Sequence, residues 1–393
     1  MSRTRTAEAR RVGFRRPRLA RTAKLVCLAA GLTTTLAAQR AVSAHPGRDL
    51  GQRAAIKEAT KAGLEFLAAT QSKAGYWTAN VGYKVNANYR VTSPNAAHVG
   101  ITALALMAYL ACGEIPGRGK YGEVVGRAVD YIVSCTKENG YLTDNGTRMY
   151  SHAFATLALA EVYGMSTRKD VREALQKSVN LISDSQNREG GWRYKPFAQE
   201  SDMSITVCQV MALRAARNSG IYVARNVIED AVKYVRESAR RPDDPDYWRN
   251  IRNHKLGLFN TGVFLYQKRP DARASFPLTA AGVTTLFGAG IYEDPLIDRG
   301  LDFLLDKLHD YNHAFKSHYF FFYGNYYAVQ AFYIAGGARW RKYYDEVSNF
   351  LLDRQDARNG SWSCRVGPGQ NFATAVATLI LAIPYQYLPI FQR

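Results

Sequence analysis

Three copies of one short pattern constrain this chain more than any other feature. Each is a Gln, then a Gly four or five residues on, then a Trp two further: Gln71…Gly75…Trp77, Gln186…Gly190…Trp192 and Gln355…Gly360…Trp362. Each closes an amphipathic stretch of helical period, and a very apolar stretch follows some distance later. Three of the five tryptophans lie in this pattern, so its recurrence is a structural repeat and not chance. The glycine suits the left-handed conformation that ends a helix. The Trp supplies a large apolar lid, and the Gln amide can satisfy helix-end groups left without partners. This is packing chemistry, and it predicts architecture before activity.

From Gly51 onward two kinds of helix alternate. Outer-type helices carry one apolar stripe, as in Val171, Ala174, Leu175, Val179 and Ile182, or Tyr343, Tyr344, Val347, Phe350 and Leu351. Inner-type helices are apolar all round and rich in small residues, as in Ile101 to Gly113, and must be covered on every side. Six pairs are expected, with repeats near 52–113, 118–164, 167–219, 221–290, 293–336 and 339–393. The inner helices are expected to begin near residues 97, 151, 202, 275, 320 and 370. The usual period of ~50 residues marks solenoids and closed arrays.

Aligned, the inner helices share a position that reads Thr102, Thr156, Thr206, Thr279, Asn325 and Thr374. One turn earlier the position reads His98, His152, Asp202, Ser275, Phe321 and Gln370. Polar residues thus recur where backbone N–H groups and the helix dipole also point. In a closed ring these ends converge on one mouth of a central cavity. The threonines read mainly as bonds from side chain to backbone. The set one turn earlier varies in chemistry, as a ligand site requires.

The first 44 residues run from a basic region (Arg3 to Lys24) through a 14-residue apolar stretch (Leu25 to Ala38) to Val42-Ser-Ala44. That order predicts a secretion signal cut before His45 and an exported product, periplasmic or extracellular. The stretch is short for a membrane span. These residues carry ten Lys/Arg against one Glu, so +10 of the formal +19 belongs to the remainder. A moderately basic remainder suits an anionic ligand or surface, and equally a soluble basic protein. It contains no basic run interleaved with aromatics, so nucleic acid is not indicated. Cys112, Cys135, Cys208 and Cys364 show no metal-type spacing, and nothing in the sequence pairs them.

The Gln–Gly–Trp pattern, the paired helices and the six-fold repeat resemble the squalene-cyclase and protein-prenyltransferase superfamily. In particular they resemble bacterial exported proteins with prenyltransferase/squalene-oxidase repeats. The resemblance covers nearly all of residues 51–393. It implies an all-α (α/α)6 toroid: a barrel of six inner helices, six outer helices around it, and a pocket at one end. It implies little about activity, since one fold hosts several chemistries.

The family's chemistry fits poorly. Its cyclases protonate an alkene with the middle Asp of an Asp-x-Asp-Asp-Thr segment opening an inner helix. Here the segment reads Asp202-Met-Ser204-Ile-Thr206, with Ser204 and Ile205 where the acid pair stands. Its prenyltransferases bind zinc through Asp-x-Cys and a later His. Ser204 replaces that thiolate, and the last inner helix, Gln370 to Ala382, holds no His. Neither zinc nor any other cofactor is expected.

The expected rim therefore contains Asp202 and His152 as candidate acid–base residues, by a His facing an Asp. Candidate ligand contacts are His98, Thr102, Tyr150, Thr156, Ser204, Thr206, Tyr323, Tyr326 and Gln370. The aromatic run His318 to Tyr327 suits a cation or a sugar ring, and equally a packed core. Residues 239–273 lengthen the fourth repeat on the side of the mouth. The apolar tail from Ile383 is expected to plug the opposite end. A membrane-surface contact is not predicted, because the tail lacks a basic face. Three readings stay open: a cavity for an apolar, isoprenoid-like ligand, a polysaccharide-binding or lyase-like barrel, and a non-catalytic scaffold. Lining discriminates them: dry and aromatic, wet and basic, or filled by side chains.

Overall fold

The computed structural model describes residues 46–85, 88–240, 262–269 and 272–391; the expected secretion signal lies outside them. Among the described residues, twelve α-helices alternate between an inner and an outer layer. The inner set is α2 (Val99–Ala111), α4 (Met149–Tyr163), α6 (Met203–Asn218), α8 (Phe276–Gly288), α10 (Tyr319–Ala335) and α12 (Gln370–Ala382). Each packs on the next, and α12 packs back on α2, so the ring is closed. The outer set is α1 (Pro46–Thr70), α3 (Gly122–Ser134), α5 (Lys169–Asp184), α7 (Arg225–Glu237), α9 (Pro295–Ala314) and α11 (Gly337–Leu352). The compact unit that contains the ring begins at Ala54, within α1. The inner helices are buried along nearly their whole length, while the outer helices bury one stripe. This follows from their composition: a helix without a polar face is stable only inside.

The repeated pattern joins neighbours in the ring. All three tryptophans are buried, and each indole N–H donates to a carbonyl of the preceding outer helix: Trp77 to Leu67 (2.7 Å), Trp192 to Ile182 (2.8 Å), Trp362 to Leu351 (2.9 Å). Contrary to the expectation from sequence, the Gln amides do not satisfy the ends of the helices they follow. Each donates to the glycine carbonyl of its own turn and to a carbonyl of the next outer helix: Gln71 to Val124, Gln186 to Val227 and Gln355 to Ala59. The last of these closes the circle onto α1. A degenerate fourth copy joins the second repeat, where Gly140 (φ +85°) approaches Lys177, with Thr136 and Leu142 in place of Gln and Trp.

One element escapes the helical reading. Between α1 and α2 the chain forms an antiparallel hairpin, β1 (Thr78–Val85) with β2 (Asn88–Ala97). Its residues alternate between half-buried and buried from Thr78 to Val81, as one covered face requires. At the other end of the barrel the tail makes two short turns, with Ile383, Leu388 and Ile390 buried. The backbone N–H of Ile390 meets Glu161, whose carboxyl burial raises to about 7. No helix among the described residues is long and apolar enough to cross a membrane.

Candidate functional site

The N-terminal ends of all six inner helices border one cavity of about 230 Å³. Its floor and walls are mostly aromatic and aliphatic: Ile101, Leu104, Phe154, Leu278, Tyr323 and Phe372 come from five of the inner helices. Tyr150 meets Tyr323 edge-on at 6.1 Å and lies 6.2 Å from Tyr194, so the rings hold one another in place. The hairpin forms one side of the mouth through Val81, Tyr83, Lys84 and Tyr89.

Three cations reach the cavity from distant parts of the chain: Lys84 on β1, Arg148 before α4 and Arg273 before α8. Each lies over an aromatic face: Lys84 over Phe320 (4.5 Å), Arg148 over Tyr83 (5.5 Å), Arg273 over Tyr266 (4.8 Å). None of the three is paired with a carboxylate among the described residues, and no Asp or Glu lines the cavity. Burial, and then the charge of Arg273, lower the Lys84 ammonium to about 8.

Asp202 lies just behind the wall and is fully buried. It is the N-cap of α6: Oδ1 accepts the Ile205 N–H at 2.9 Å and the Ser204 hydroxyl at 2.5 Å. Its Oδ2 accepts the Tyr266 hydroxyl at 3.3 Å, and Tyr266 is 2.8 Å from the Tyr194 hydroxyl. Burial raises the carboxyl to about 6, against the opposing effects of Ser204, Ile205, Arg193 and Tyr266. Ser204, Tyr194 and Tyr266 line the cavity, so the acid reaches it through hydroxyls.

Of the residues singled out from sequence, His98, Tyr150, Ser204 and Tyr323 are on the wall. The others are elsewhere. Thr102 and Thr206 accept the backbone N–H groups of Trp77 and Trp192, and Thr156 donates to the His152 carbonyl. All three are buried in the repeat joint, as is Thr374, which accepts from Trp362. His152 is fully buried and its Nδ1 accepts the Leu142 N–H at 3.1 Å. The expected His–Asp pair therefore does not form. Burial lowers His152 to about 3 and His98 to about 4, and His98 caps α2 through its Nδ1, so both rings are neutral at neutral pH. Tyr326 is packed in the core, and the exposed Gln370 donates to Ser361 away from the cavity. The sequence reading missed Lys84, Arg148, Tyr194, Tyr266 and Arg273, which lie in the hairpin and in loops. Among the described residues no three His, Cys, Asp or Glu side chains gather as a metal site requires.

No family model matches the chain, and no curated protein matches it. Solved structures do share its fold. The type II terpene cyclase MstE from Scytonema, as a variant bound to geranylgeranyl dihydroxybenzoate, has a TM-score of 0.54 at 13% identity, over 85% of this chain and 97% of that one. The GH76A alpha-1,6-mannanase of Salegentibacter sp. HEL1_6 has a TM-score of 0.58 at 8% identity, over 83% and 98%. An alpha-amylase from Clostridium perfringens has a TM-score of 0.53 at 11% identity, over 83% and 97%. The fold is thus a terpenoid-cyclase-like α/α toroid. At these identities the likeness establishes architecture and no activity.

Proposed function

We propose that the chain is an exported toroid whose cavity holds an amphipathic, isoprenoid-like molecule. The observation that carries this reading is the lining: aromatic and aliphatic side chains converge from the inner helices, and no carboxylate lies among them. Such a wall favours an apolar body by removing it from water. The cations at the mouth accommodate a polar end. The cyclase neighbour, which shares the fold, forms a complex with geranylgeranyl dihydroxybenzoate. Ser204 and Ile205 stand where the cyclase acid pair belongs, so proton-initiated cyclisation is not part of the proposal.

A second reading is an acidic oligosaccharide, favoured by three cations without carboxylate partners among the described residues and by a tyrosine-rich mouth. Organic extraction of the purified protein, followed by mass spectrometry, separates the two. Isoprenoid lipids are expected in the extract, together with saturable farnesol binding in solution. A co-purifying uronic oligosaccharide with no lipid would overturn the first reading in favour of the second.

Export has its own test. Protein made in a host with a matching secretion system should begin at His45 on N-terminal sequencing. Secreted protein that retains Met1 would count against cleavage.

A further inference from the structure

We infer that the wall at Ser204, Tyr194 and Tyr266 is a hydrogen-bond acceptor surface that selects a ligand carrying a hydroxyl donor. The inference rests on the isoprenoid reading and specifies the head group at that site.

The argument is a count of hydrogens. An ionised carboxylate accepts and cannot donate, and a hydroxyl has one hydrogen to give. Ser204 directs its hydrogen to Asp202 Oδ1 at 2.5 Å, and Tyr266 directs its own to Oδ2 at 3.3 Å. With the Tyr266 hydrogen committed, the 2.8 Å bond between the two tyrosines is donated by Tyr194. All three hydroxyls therefore point their hydrogens into the wall. Tyr194 Oη also meets the Ser204 hydroxyl, and the lone pairs left on the two oxygens serve the cavity, which both residues line. The positive charge of Arg193 favours the ionised form of Asp202.

An acceptor-only wall discriminates by chemistry. A hydroxyl supplies the missing hydrogen; an ether or ester sets lone pair against lone pair. Asp202 is wholly buried and is not part of the cavity lining, so it is a positioning residue that fixes which way the hydroxyls point.

The test compares farnesol with its methyl ether, in which a methyl group replaces the donor hydrogen. Wild-type protein should bind farnesol about tenfold more tightly, the effect of one satisfied buried hydrogen bond. Tyr194→Phe should weaken farnesol and leave the ether within about twofold, abolishing the preference. Ser204→Ala offers the same comparison if the tyrosine variant is unstable. Equal affinity of wild-type protein for both compounds would overturn the inference and leave the isoprenoid reading intact. A variant that weakens both alike would reduce Tyr194 to packing and overturn it too. Failure of both compounds to bind would remove the isoprenoid reading itself, and this inference with it.

Discussion

Gly190→Ala should destabilise the folded protein by more than about 4 kcal/mol, whereas Gly220→Ala should cost only about 1–2 kcal/mol. The two glycines have nearly the same backbone, φ +85° and +89°. Any L side chain at either pays the left-handed penalty, of order 1–2 kcal/mol. They differ in what a Cβ would meet. At Gly220 nothing lies within 4 Å. At Gly190 the new carbon would sit 2.3 Å from the Asp230 carbonyl oxygen, which is backbone of α7 and cannot swing aside. The turn and the outer helix must separate, which loosens the Gln186–Val227 bond and the cover over Trp192. Urea unfolding of both variants isolates the docking contribution from the conformational one. Equal, small losses would mean that the repeated turn does not hold the outer layer. Gly360→Ala extends the test to ring closure, because its Cβ would meet the Ala62 carbonyl of α1 at 2.6 Å.

That contrast also explains what could be read from the sequence. Gly, Gln and Trp recur because one joint is built repeatedly, and each residue has a geometric duty that few others perform. The starts of the inner helices were legible to within two residues, since an all-apolar run has one place to go. The fourth copy of the joint was not legible. There Leu142 fills the Trp position and Thr136 replaces Gln, and only Gly140 retains its duty.

That the inner helices open onto one cavity was legible for the same reason, because helix starts in a closed ring share one mouth. Which side chains turn inward was not. A cap residue folds its side chain back to its own helix N–H, as His98 and Asp202 do, so polarity at that position records capping first. The threonines one turn deeper hold the Trp N–H groups. The cations come instead from segments without helical period. The alternation of Val81, Tyr83 and Val85 was there to be read as a strand. Tyr266 and Arg273 belong to the lengthened fourth repeat, where the sequence indicated only an unusual loop.

Asp202→Asn should make stability less dependent on acid conditions and remove the preference for a hydroxylated ligand. The carboxyl moves from 3.8 to about 6 on folding, chiefly by burial. A raised carboxyl favours the folded state while protonated. Its contribution is full below about pH 3.8 and is lost as pH rises to about 6, and ~2 units correspond to about 3 kcal/mol. The groups around it are the Ser204 hydroxyl, the Ile205 N–H, Tyr266 and Arg193, with Tyr150, Tyr194, Tyr234, Tyr323 and Cys208 further off. All but Arg193 are uncharged across that range, so none takes over the titration. Asparagine cannot ionise and caps a helix as well as aspartate does. The stability of the variant minus that of wild type should therefore rise by about 2 kcal/mol between pH 4 and pH 7. Titrations of His98, His152 and Glu161 are common to both proteins and cancel in the difference. With the amide oxygen on Ile205 and Ser204, the amide nitrogen faces Tyr266 and donates to it. Tyr266 can then turn its hydrogen toward Tyr194, and Tyr194 turns its own toward the cavity. The acceptor wall thus gains a donor, and farnesol should lose its advantage over the methyl ether. A difference curve flat in pH would show that Asp202 ionises as freely as in the unfolded chain. A loss of stability at every pH with the farnesol preference intact would leave Asp202 a helix cap and nothing more.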